Sequence, residues 1–101
     1  MSYELNHPQH SEQELITRLE KIFMCEVSQR YAFTSKIGVE HRALKQIDLS
    51  GSPDMAVNSL LHFLNKYYLK SWIRLEDQQK FMSKLIDAIL MTKLNPHIEN
   101  N

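Results

Sequence analysis

Residues 48–68 read DLSGSPDMAVNSLLHFLNKYY, a turn that runs straight into a helix start. Ser52 stands where a hydroxyl can accept from an unpaired N–H of the first helical turn. Pro53 follows with its φ already set, and Asp54 suits the positive end of the helix. From there Val57, Leu60, Leu61, Leu64 and Tyr68 recur on one face, and Asn58, Ser59, His62, Asn65 and Lys66 lie on the other. One side of this helix is predicted to enter a core, and its end to fall near Lys70 or Ser71.

Upstream, Ser11-Glu12-Gln13-Glu14 has the spacing of a capping box, in which hydroxyl and carboxylate each satisfy an unpaired backbone N–H. On a helical wheel Leu15, Leu19, Ile22, Phe33 and Ile37 then form a stripe, widened by Ile16, Phe23 and Val27, that reaches Gly38. Glu14/Arg18 and Glu26/Arg30 stand at the favourable four-residue spacing and are expected on the outer surface, each pair contributing ~0.3 kcal/mol. A straight helix of this length is long for so small a domain, so a kink or break is expected near residues 25–30. Gly38 suits a left-handed cap, and residues 39–47, with Val39, Ala43, Leu44 and Ile47, suit a short helix.

Downstream, Trp72, Ile73, Arg74 and Leu75 bridge to a last helix from about Glu76 to Lys93. Phe81, Met82, Leu85, Ile86 and Ile89 form its core face, and Asn95-Pro96 stops it. No useful alternating β-pattern and no repeat appears. The fold is predicted to be all-α, a compact bundle of four to six helices over residues 11–95. Residues 1–10 form an N-terminal tail and 96–101 a C-terminal one.

A chain of 101 residues, 43% of them hydrophobic, has enough for one core, and two domains would each be too small to stand alone. Twelve basic residues balance twelve acidic ones, so no overall field draws the chain to nucleic acid or an anionic membrane. Cys25 is the single cysteine. With no basic-then-apolar leader and no apolar run near 20 residues, a soluble protein of the reducing cytoplasm is expected.

Chemistry-bearing patterns are missing from the sequence. His7, His10, His41, His62 and His97 are scattered, with no pair four apart on one helix, which predicts no metal site. Cys25 lies off the core stripe with no nucleophile elbow, and reads as an ordinary half-buried thiol. Two isolated glycines cannot build a phosphate-cradling loop. No catalytic residue, cofactor or small-molecule substrate is predicted, which leaves a protein partner, a second copy included.

Two clusters are candidates for that contact. Leu90, Met91 and Leu94 fall on the side of the last helix otherwise held by Lys80, Ser83, Lys84 and Asp87, so they need cover from the N-terminal segment, with Tyr3 and Leu5, or from another molecule. Tyr67, Trp72 and Arg74 form the second, of residue types that dominate protein hot spots. The competing reading sets Lys66, Lys70 and Arg74 around Tyr67 and Trp72 as a nucleic-acid surface. A protein inhibitor is a third.

From Tyr31 onward the order of features resembles the effector-associated domains of bacterial conflict and signalling proteins, which belong to the death-domain-like helical class. The similarity rests on Ile37-Gly38-Val39, Leu44, Gly51, Ala56, Leu60-Leu61 and Leu64, then Leu85 and Pro96. The connection from Tyr67 to Leu75 is longer than the short turn usual in that family. The resemblance implies a death-fold-like arrangement and homotypic recruitment of a partner bearing a like domain.

Overall fold

The computed structural model describes residues 9–70 and 73–94. Among them are five helices and no strand: α1 (Glu12–Ile22), α2 (Val27–Lys36), α3 (His41–Leu44), α4 (Pro53–Tyr67) and α5 (Leu75–Met91). The protein is an all-α bundle. Tyr3, Leu5, Trp72 and Pro96, which the sequence reading invoked, lie outside the described residues.

Helix α4 starts where its sequence predicts but ends at Tyr67, short of the expected Lys70 or Ser71. Pro53 is its first residue, Ser52 occupies the N-cap, and the Ser52 carbonyl accepts from Ala56 N–H at 3.0 Å. Val57, Leu60, Leu61 and Leu64 are buried as predicted, joined by Ala56 and Phe63. The Ser52 hydroxyl departs from expectation, for it makes no cap bond to the helix. It instead hydrogen-bonds the Asp54 carboxylate, which holds that group below the usual carboxylate range. At α1 the hydroxyl does cap: Ser11 Oγ accepts from Glu14 N–H at 3.0 Å. The Glu14 carboxylate pairs with the His10 ring.

Helix α1 lies against both α4 and α5, and α2 against α3. Leu15, Leu19 and Phe23, spaced by four, are fully buried from α1 and its C-cap, and they meet Leu60, Leu64, Leu85 and Ile89 in one core. Phe23 therefore holds the centre of the stripe, Ile22 is half-buried and Val27 is exposed.

The predicted long helix is broken across residues 23–26, overlapping the start of the expected window at 25–30. Ten residues apart on an unbroken helix, Phe23 and Phe33 would be separated by about 15 Å along the axis. Across the elbow their rings meet edge to face at 5.8 Å. Arg30 fixes this elbow. Its Nε donates to Phe23 O at 2.8 Å, and its Nη1 donates to Leu49 O at 2.7 Å and Gly51 O at 2.9 Å. The expected outer-surface pair with Glu26 is thus overturned, since Arg30 is buried and three carbonyls surround it. A buried guanidinium is costly unless its donors are matched, and here each bond also satisfies a carbonyl that a helix end or loop leaves unpaired.

Arg18 is likewise turned inward. Its Nε donates to Ile89 O at 2.9 Å, and Nη2 reaches Thr92 O at 3.3 Å and Leu90 O at 3.4 Å. Helix α5 has no basic residue in its own last turn. A cation from α1 supplies the charge that its negative end favours. Both surface ion pairs read from spacing are therefore replaced by long-range carbonyl caps.

Between α2 and α4 the helical stretch is shorter than the predicted 39–47. Val39 and Ile47 are buried, but only four residues wind into α3. Gly38 closes α2 with φ +107°, and Gly51 turns the chain into α4 with φ +91°. The Tyr31 hydroxyl donates to Ile47 O at 2.6 Å and accepts from Leu49 N–H at 3.2 Å, which pins the extended stretch between them. Helix α5 begins at Leu75 and ends at Met91, slightly inside the predicted end at Lys93. Its Leu85, Ile86 and Ile89 are buried, whereas Phe81 and Met82 sit half-buried at the margin.

Candidate interaction surface

The C-terminal ends of α1 and α5 lie together at one end of the bundle, tied by Arg18. After Met91 the Thr92 hydroxyl bonds back to Ala88 O at 2.6 Å, and residues 92–94 pass across α1. An open groove lies on each side of this short strap, and Leu94 lines both. The first, about 700 Å³, is floored by Ile22, Met24 and Phe33 and rimmed by Lys21, Glu26 and Lys93. The second, about 620 Å³, runs along α1 past Gln13, Thr17 and Arg18 to Leu90.

Five of the six residues singled out from sequence are described, and they divide among three places. Leu90 is half-buried against the core, and its carbonyl accepts from Arg18. Leu94 is half-buried between the grooves, and Met91 is 81% exposed. Tyr67, 43% exposed, lies at the far end of α4, its ring 4.7 Å from that of Phe63 and beneath Lys66 Nζ at 5.4 Å. Arg74 is exposed at the N-cap of α5 and pairs loosely with Glu76 at 3.7 Å. Trp72 lies outside the described residues.

Met24, 48% exposed in the elbow, was not a candidate from sequence. Wheel reasoning on a continuous helix could not set it beside Leu94, because that neighbourhood exists only once the helix has broken. Its apolar character in an otherwise polar turn, Met24-Cys25-Glu26, was the one available signal.

Arg18 and Arg30 near this end are engaged in structure. Burial pushes the Cys25 thiol up, with the adjacent Arg30 offsetting part of the shift, so the thiol is not activated towards a nucleophilic thiolate. Among the described residues no group of three His, Cys, Asp or Glu side chains could hold a metal ion, and every buried side-chain nitrogen or oxygen has a partner. No helix there is long and apolar enough to cross a membrane. No protein-family model, curated protein or solved structure matches the chain.

Proposed function

We propose that this chain is a non-catalytic protein–protein interaction module, an adaptor or recruitment domain, which engages its partner through the bundle end formed by α1, α5 and the strap. The observation that carries the reading is the apolar surface that the described residues leave open at this end. Met24 and Leu94 line one open groove, and Met91 stands 81% exposed immediately before the strap. Such a patch gains by burial against a partner, at roughly 25 cal/mol per Å² of apolar surface removed from water. The lone thiol suits a reducing cytoplasm. The resemblance to effector-associated domains supports recruitment within a bacterial defence or signalling system.

The nucleic-acid alternative is less favoured because Tyr67 has its ring committed to Phe63 and Lys66, and Arg74 is drawn to Glu76. Base stacking needs a free aromatic face. Met24→Ser with Met91→Ser removes apolar surface without touching the core. This variant should keep the wild-type melting temperature and lose a partner that tagged wild-type protein captures from its native cells. Undiminished capture by the well-folded variant would reject this surface. Tight, salt-sensitive oligonucleotide binding lost in Lys66→Ala/Lys70→Ala/Arg74→Ala would reject the function.

A further inference from the structure

Arg18 serves two structures with one side chain. Its Nε–H donates to Ile89 O at 2.9 Å and its Nη2 reaches Leu90 O at 3.4 Å, two of the carbonyls that the last turn of α5 leaves without an intrahelical donor. The same Nη2 also reaches Thr92 O at 3.3 Å, which lies past the helix, on the strap. Capping α5 needs only a cation near its negative end. Holding the strap needs a second donor at a set offset from the first, and the rigid edge of the guanidinium supplies it. Two residues beyond Thr92, Leu94 stands half-buried as a wall shared by both grooves, and Leu90 and Arg18 itself line the second. Where Arg18 grips Thr92 therefore fixes where that wall stands on α1.

We infer that Arg18 is the positioning residue of the interaction surface: it sets the crossing of the strap over α1 and, through it, the place of Leu94 between the two grooves. This rests on the reading of the bundle end as the contact surface and adds what shapes it. The carbonyls that Arg18 grips lie 71 to 74 residues away in sequence, so the surface takes its shape only when α1 and α5 have packed. Arg18→Lys keeps the cation but offers one nitrogen where the guanidinium sets two, and it caps α5 without fixing the strap. Stability and surface shape are thereby separable at one position.

The test compares Arg18→Lys with Arg18→Met on the whole chain by melting temperature, by the ¹³C-methyl signals of Leu94, and by capture of the partner that tagged wild type retains. Arg18→Lys should recover most of the melting temperature that Arg18→Met loses. Both variants should shift the Leu94 methyl signals in the free protein, before any partner is added, while those of Leu60, buried on α4, keep their wild-type positions. Both should lose capture. Adding Arg18→Lys to Leu94→Ala should weaken capture no further than Leu94→Ala does alone, because the arginine acts through that leucine. A purely structural cap would make capture follow the melting temperature, so near-wild-type capture by Arg18→Lys overturns the inference. Unmoved Leu94 signals overturn it as well, and so does an additive double variant, which would mark Arg18 as a direct contact. Loss of capture in Met24→Ser/Met91→Ser beside full capture in Arg18→Lys would refute the positioning role alone and leave the interaction surface standing. Undiminished capture in all of these variants would reject both.

Discussion

The entry to α4 and the elbow between α1 and α2 both redirect the chain, but they are built from different kinds of information. At α4 a glycine with positive φ, a proline at the first helical position and an acid in the first turn lie within four residues. At the elbow Glu26 occupies the N-cap of α2 without a side-chain bond, and neither glycine nor proline intervenes. The turn exists because Arg30 gathers carbonyls from Phe23, Leu49 and Gly51, up to 21 residues away, while Phe23 and Phe33 close over the core. Local punctuation reads from sequence, and a tertiary hinge does not.

Six substitutions at five positions sharpen that contrast. The largest effect is expected in the core that both regions share: Leu61→Ala should cost roughly 2–5 kcal/mol in urea unfolding. Tolerance of Ala there would mean that α4 presents a different face. Arg30→Met should cost roughly 2–4 kcal/mol, because three enclosed carbonyls lose their donor while the apolar stem is kept. Arg30→Lys should restore little, since one ammonium cannot reproduce the guanidinium's fixed fork. If Arg30→Met proves neutral, the elbow is set by Phe23 and Phe33 alone.

Arg18→Met follows at about 1–2 kcal/mol, for its carbonyls lie at a partly exposed helix end. Amide exchange should rise selectively in the last turn of α5, and uniform exchange changes would argue against a cap. The smallest effects distinguish two serines in equivalent positions. Ser11→Ala should cost about 1 kcal/mol, whereas Ser52→Ala, whose hydroxyl serves Asp54 rather than the helix, should stay within about 0.5 kcal/mol. Equal losses at the two sites would show that Ser52 caps after all.

The helical class, the α4 start and face, the Ser11 cap and the Gly38 turn were legible because each rests on residues within a few positions of one another. The inward turn of Arg18 and Arg30 was not. A four-residue spacing from Glu14 or Glu26 fits a surface ion pair as well as it fits a long side chain turned away from that glutamate. Only the unpaired carbonyls of α5 and of residues 49–51, distant in sequence, select between them. The interaction surface was half legible for the same reason. Met91 and Leu94 broke the polar pattern of the predicted last helix, but Met24 comes beside Leu94 only through the fold.

The methionine methyl groups offer the most direct test of where this protein makes contact. Met24 lies in the groove at the strap, whereas Met55 is exposed elsewhere, over Gly51 at the start of α4. In ¹³C-methyl-methionine spectra followed as the captured partner is added up to about 1 mM, the Met24 signal should shift and broaden while that of Met55 stays fixed. A moving Met55 beside a stationary Met24, or two signals that never move, would contradict contact through the bundle end.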